Sequence, residues 1–114
     1  MSILQQQLPD DISLITLDGR LDQTQTPQLE AELTRLLEED GRTKFIIDLN
    51  QVSYINSGGL RCLVGSWRKA RQLEGNLVLC GLSNRLLEIF AMVGFDKVFQ
   101  IVKDVDEAQA IMRA

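Results

Sequence analysis

Histidine is absent from the 114 residues, which removes Ser–His and Cys–His nucleophilic pairs and every imidazole-ligated metal site. Cysteine is scarce: Cys62 and Cys80 stand alone, too far apart for a C-x-x-C motif. With no secretion signal they read as reduced, small core residues of a cytosolic protein. No apolar run approaches the roughly 20 residues a bilayer span requires. The start, Met1-Ser2-Ile3-Leu4-Gln5-Gln6-Gln7, lacks the basic residues and apolar stretch of a signal peptide. The expected location is the cytoplasm, with no membrane partner. Basic character is missing too. The net charge is -4, and Arg and Lys are scattered among acidic residues, without the basic face that displaces counterions from nucleic acid.

What is present is ordinary for a soluble globule: 45% hydrophobic and 25% charged residues. A chain of this length buries roughly two thirds of the surface it exposes when unfolded. It needs no disulfide, metal or cofactor to fold, and a single domain over residues 1–114 is expected. The sequence sets no oligomeric state.

Ile3-Leu4 opens a short apolar stretch ended by Pro9-Asp10-Asp11, and Ile12, Leu14, Ile15 and Leu17 follow before Asp18-Gly19. Two runs so closely joined predict a hairpin and an antiparallel start to the sheet. Thr26-Pro27 predicts a helix with threonine as cap, carrying Leu29, Leu33, Leu36 and Leu37 at helical spacing and closed by Gly41. Phe45 to Leu49 is a compact apolar run, as in a strand covered on both faces. A loop then leads to a second helix near Ser57, with Leu60, Leu63, Val64 and Trp67 on its inner side. Leu77 to Cys80 predicts another buried strand. Ser83 predicts a cap for a third helix with Leu86, Phe90 and Val93 on one face and Gly94 past its end. Val98 to Val102 predicts a last strand, and Asp104-Val105-Asp106-Glu107 a capping box opening a terminal helix. The alternation predicts one α/β fold, a mixed sheet with parallel later strands and about four helices.

One segment carries chemistry: Asp48-Leu49-Asn50-Gln51-Val52-Ser53-Tyr54-Ile55-Asn56-Ser57-Gly58-Gly59-Leu60. It sets a serine and two glycines where strand and loop meet a helix N-terminus. Such an end offers free N–H groups and the positive pole of the helix dipole. Glycines there let a phosphate approach the backbone. A phosphate on Ser57 is electrostatically tolerated and adds about -1.5 to -2 charges at one surface point. Plain capping selects the same residues, and on local grounds alone is the commoner cause. No Gly-Lys-Ser/Thr follows, so a P-loop is excluded, and the three-glycine dinucleotide spacing is absent.

The whole pattern resembles the STAS domain of the anti-sigma factor antagonist family over nearly the full length. The resemblance runs through Gly19-Arg20-Leu21-Asp22, Asp48-Leu49-Asn50, Ile55-Asn56-Ser57-Gly58-Gly59-Leu60, Gly75-Asn76-Leu77-Val78-Leu79 and Val93-Gly94-Phe95-Asp96-Lys97-Val98-Phe99. It implies a STAS-like mixed sheet and a partner-switching cycle. In that cycle the unphosphorylated antagonist binds an anti-sigma factor that is also a serine kinase. Phosphorylation dissociates the pair, and a serine phosphatase resets it. The acceptor matches Ser57, and Asp22 matches a position of the docking surface beside the same helix end. The implied partner surface comprises Asp22, Asn56, Ser57, Gly58, Gly59, Arg61 and Gly65. Asn56 stands where the family usually has aspartate, and Gly58 where it has a second serine, which leaves Ser57 as the acceptor.

The chain is expected to be a regulator and not an enzyme, because no acid–base pair converges on a pocket. Two readings compete: a STAS scaffold or ligand-sensing module that is never phosphorylated, and a receiver-like domain phosphorylated on aspartate. The second needs an acidic pair at the end of the first strand and a late lysine. Gly65, mid-helix, either flattens a docking surface or marks close approach to another element. Asp10-Asp11 and Glu38-Glu39-Asp40 read as solvated charge. Ser53 and Ser83 are further hydroxyls, the latter read as a cap.

Overall fold

The computed structural model describes residues 3–113. Among them the chain forms strands β1 (Ile3–Leu8), β2 (Ile12–Leu21), β3 (Lys44–Ile55), β4 (Asn76–Cys80) and β5 (Gln100–Val102), and helices α1 (Thr26–Glu38), α2 (Ser57–Gln72), α3 (Asn84–Met92) and α4 (Val105–Arg113). The sheet order is β1-β2-β3-β4-β5. β1 and β2 are antiparallel, and every later pairing is parallel. The expected STAS-like mixed sheet is therefore present.

Strand order equal to chain order has a geometric consequence. Right-handed crossovers between successive parallel neighbours all pass over the same face. α1, α2 and α3 accordingly bury Leu29, Leu33, Leu60, Leu63, Leu86 and Phe90 against Ile15, Leu17, Phe45, Ile47, Leu77 and Leu79. α4, which no strand follows, folds onto the opposite face over Ile12, Leu14, Ile46 and Val78, with Ala108 at its centre. β3 is thus covered on both faces, which explains its unbroken apolar run. The hairpin turns through Asp10 and Asp11 with φ of 67° and 61°, a left-handed conformation that aspartate tolerates better than most residues.

Several local expectations need correction. β2 does not end at Asp18-Gly19. It runs on to Leu21 through register shifts between Thr16 and Asp18 and between Gly19 and Arg20. β3 likewise continues through Asn50–Ile55 where a loop was expected, because Asp18–Leu21 supplies hydrogen-bonding partners that the strand's own residue types do not announce. Thr26 is the first residue of α1 and not its cap. Gln25 holds the cap position without a side-chain bond, and the Thr26 hydroxyl donates to the Asp22 carbonyl at 2.8 Å. Val93 does not join Leu86 and Phe90 inside; it is 51% exposed. The last strand begins at Gln100, after a 3-10 turn at Phe95–Lys97, while Phe99 is buried edge-on to Trp67, Phe90 and Phe95.

Other local signals are realised as read. Ser83 accepts from the Leu86 N–H at 3.2 Å. Asp104 accepts from Glu107 N–H at 2.9 Å, while the Glu107 carboxylate reaches back to Lys103 N–H at 3.2 Å. No helix among the described residues is long and apolar enough to cross a membrane.

Candidate functional site

Past Asp48, β3 has no further partner in β4, whose pairing ends at Asp48 and Cys80. β2 and β3 therefore continue alone as a two-stranded ribbon, pairing Gly19 with Val52, Arg20 with Tyr54 and Leu21 with Ile55. The Arg20 guanidinium lies 4.3 Å from the centre of the Tyr54 ring, a cation–π contact that covers the ribbon's outer side. The ribbon delivers two chain segments to one place: the loop beginning at Asp22 and the start of α2. Asn56 N–H donates to the Leu21 carbonyl at 3.1 Å and extends the pairing by one bond.

Asn56 is the cap of α2. Its Oδ1 accepts from Gly59 N–H at 3.0 Å, satisfying one of the orphan donors of the first turn. Its Nδ2 donates to Gln23 Oε1 at 3.1 Å, a bond that an ionised aspartate in this position cannot make. Ser57 follows as the first helical residue and is exposed.

The two glycines differ in purpose. A Cβ at Gly59 would stand 2.8 Å from Ile55 Cγ1 and 3.0 Å from the Leu21 carbonyl. Gly59 is therefore buried for close packing of α2 on the ribbon, and not to bare its backbone to a ligand as the sequence suggests. A Cβ at Gly58 would meet Asn56 Oδ1 at 3.4 Å and Arg61 Nη2 at 3.9 Å, ordinary contact distances. Gly58 is half-buried and has room for a side chain.

Asp22 opens the facing loop. Its Oδ1 accepts from Thr24 Oγ1 at 2.6 Å and from Thr24 N–H at 3.1 Å, an Asx turn. The Thr24 hydroxyl, its backbone N–H and the nearby Arg20 hold the Asp22 carboxyl below the usual carboxylate range, so it is charged at neutral pH. Its carbonyl accepts from Gln25 and Thr26 N–H at 3.0 and 2.9 Å, fixing the start of α1.

From this end a groove of about 910 Å³ runs between α1 and α2, lined by Glu30, Ala31, Thr34, Cys62, Gly65 and Ser66 among others. An ion pair between Lys69 and Glu38 lies on its border. Gly65 is exposed with nothing within 4 Å of a Cβ built on it, so close approach to another element does not explain it. It flattens the α2 wall. Cys62 is buried, and burial, with Glu30 adding, pushes its thiol up to about 11. Burial, with Asp48 and Asp104 adding, pushes the Cys80 thiol up to about 12. Both cysteines are free.

Sequence reasoning missed Gln23 and Thr24. The Asp-x-Thr spacing is a signal for the second. The first is joined to Asn56 only by tertiary folding. Ser53 is not near a helix start; its hydroxyl donates to the Gly19 carbonyl at 3.4 Å. The receiver-like alternative fails on topology, since doubly wound receivers order their strands 2-1-3-4-5 and this sheet runs in chain order with an antiparallel hairpin. Asp48, Asp104 and Lys103 do share a small cleft at the carboxyl ends of β4 and β5, beside the point where β3 leaves β4. Among the described residues, however, no group of three or more Cys, Asp or Glu is placed to hold a metal ion.

A mixed sheet opened by an antiparallel hairpin, with three crossover helices on one face, is a fold shared with solved anti-sigma factor antagonists. The chain belongs to the STAS domain family, whose model matches residues 4–108. It is 32% identical over 104 residues to BtrV of Bordetella bronchiseptica, covering 91% of this chain and 89% of that one. It is 34% identical over 87 residues to the anti-sigma-B factor antagonist of Listeria monocytogenes, covering 76% and 75%. An anti-sigma factor antagonist structure from Mycobacterium paratuberculosis superposes with a TM-score of 0.87 at 23% identity, over 99% of this chain and 94% of that one. The Bacillus cell fate determinant SpoIIAA superposes in an unphosphorylated and a phosphorylated form. Unphosphorylated, the TM-score is 0.77 at 20% identity, over 98% of this chain and 96% of that one. Phosphorylated, it is 0.76 at 17% identity, over 96% and 99%.

Proposed function

We propose that this chain acts as one cytoplasmic domain and is an anti-sigma factor antagonist. It binds an anti-sigma factor that is also a serine kinase, and phosphorylation of Ser57 ends the binding. The observation that carries the reading is the exposed Ser57 at the first position of α2, between Asn56, which bonds to Gln23 of the loop that Asp22 opens, and Gly58, which lines the α1–α2 groove. Curated relatives named as antagonists support the partner class. SpoIIAA has been solved with and without phosphate, and its two forms match this fold about equally, which supports a switch that labels a surface and leaves the fold intact.

In the transfer step Ser57 Oγ attacks the terminal phosphorus of a nucleoside triphosphate held by the kinase. The Oγ–P bond forms, the bond to the departing nucleoside diphosphate breaks, and the hydroxyl proton passes to a base on the kinase. The dianion then stands on the docking surface near Asp22. Like charges facing an acidic or closely packed partner surface break the complex. A serine phosphatase returns the hydroxyl by hydrolysis: water attacks phosphorus, the P–Oγ bond breaks, Oγ regains a proton and inorganic phosphate departs. Asp22, Asn56, Gly58, Arg61 and Gly65 form the surface that the partner reads, while Gly59 sets its backbone; catalysis belongs to the partners.

The test is the intact mass of protein purified from its own cells, before and after phosphatase treatment, with peptide mapping. A gain of about 80 Da that maps to Ser57 is expected. Ser57→Ala should bind the kinase constitutively and Ser57→Asp poorly. Wild-type binding by both variants would overturn the reading. Absence of the phosphate under varied growth conditions would favour an unphosphorylated scaffold.

A further inference from the structure

Arg61 lies four residues beyond Ser57, one turn along the same face of α2. Its head group turns back toward the start of the helix, with Nη2 at 3.9 Å from the Cβ position of Gly58. This is the usual lean of long helical side chains. Among the described residues Arg61 has no carboxylate partner, whereas Arg20 at this end and Arg35 and Lys69 further along the groove are engaged. Arg20 covers the Tyr54 ring and approaches Asp22 at 4.0 Å, and Lys69 pairs with Glu38. Asn56 is committed at both ends of its carboxamide, to Gly59 and to Gln23. One uncommitted donor group with a fixed fork therefore stands over the first turn of α2, against Gly58 and one turn from Ser57. Glycine at 58 keeps the space between them clear of a side chain.

We propose that Arg61 receives the phosphoryl group carried by Ser57 and ties it to the first turn of α2 through a forked, charge-assisted contact. The proposal rests on Ser57 being the acceptor. A guanidinium matches two phosphate oxygens at once, where an ammonium offers only a point charge. The paired dianion is held in one orientation on the docking surface instead of sweeping a cone around the Ser57 side chain. The phosphorylated state is then read by its partners as a fixed shape as well as a charge.

The test uses full-length protein with phosphoserine installed at position 57 during translation, so that no kinase is needed, and follows the phosphorus resonance through a pH titration. The second ionisation of a phosphoserine lies near pH 6. In the protein with Arg61 it should fall about half a unit below its value in Arg61→Ala. Arg61→Lys should keep part of that shift, having the charge without the fork. The same ionisation in the Arg61 protein and in Arg61→Ala would overturn the proposal. If mapping finds no phosphate on Ser57 in cells, the partner-switching reading fails, yet this titration still reports on Arg61, so the two failures are told apart.

Discussion

Asn56 and Gln23, 33 residues apart in sequence, are joined by a hydrogen bond from the carboxamide of the first to that of the second at 3.1 Å. The other end of the Asn56 carboxamide caps α2. One side chain thus fixes both the helix that presents Ser57 and the loop that presents Asp22. Removing it should loosen the relation between them as well as the helix end. Asn56→Ala is expected to cost about 1 kcal/mol, a fall of about 3–6 °C in Tm. Asn56→Asp keeps the cap acceptor and adds charge at the favourable helix pole, so it should lose clearly less. Thermal unfolding followed by circular dichroism of the three proteins checks the order.

The two glycine-to-alanine changes on α2 should have opposite signs. Gly59→Ala pushes a methyl to 2.8 Å from Ile55 Cγ1, an overpacking worth about 1–3 kcal/mol of lost stability. Gly65→Ala meets nothing within 4 Å and removes a flexible residue from a helix interior, a gain of about 0.5–1 kcal/mol. Urea unfolding gives both numbers. If Gly65→Ala also weakens partner binding, the flat wall is part of the docking surface.

Asp22 should titrate below the ordinary carboxylate value of 3.8, chiefly because Thr24 donates to it. The folded carboxyl is the stronger acid, so its contribution to stability is present above the unfolded pKa and is lost as pH falls through the folded one. Thr24→Val should move the Asp22 carboxyl back up, since it deletes the 2.6 Å hydroxyl bond and spares the backbone one. Carbon-detected NMR titration of the carboxyl reads the change.

The cysteines should be slow toward thiol reagents in the folded protein and fast after denaturation, because burial disfavours both thiolates. The linkage has the opposite sense to that of Asp22. Native thiols hold their protons to about 11 and about 12, against an ordinary value of 9.0. Between pH 9 and 11 the unfolded chain has fewer protons bound, so stability falls as pH rises through that window. Cys62→Ala and Cys80→Ala should each flatten that part of the pH–stability curve.

How much was legible beforehand depended on whether the cause was local. Ser83, the Asp104–Glu107 pair and the Asn56-Ser57 junction act through partners within four residues, and their types announce them. The apolar run Phe45 to Leu49 announced a strand because it is covered on both faces. Asn50 to Ser53 did not announce one, since their backbone is ordered by Asp18–Leu21 of another strand, and pairing of that kind leaves no mark on residue type. Gln23 belongs to the same class. Val93 kept the helical spacing of Leu86 and Phe90, yet α3 ends at Met92 and turns it outward. Ser57 was named from its junction and then from the family resemblance, Asp22 from the resemblance alone, and the ribbon that brings their segments together became visible only with the fold.

The identity of strand order and chain order also bears on how the molecule comes into being. No strand has to be inserted between two already paired, and each has only to find its predecessor. The hairpin of β1 and β2 closes over a three-residue turn, and β3, β4 and β5 each pair at one edge of the strands that precede them. Short loops are closed before long ones, which lowers the entropy lost at each step. The ribbon needs only β2 and β3 for its pairing, so the seat of α2 is built wholly from residues Asp18 to Asn56, all of which precede β4 in the chain.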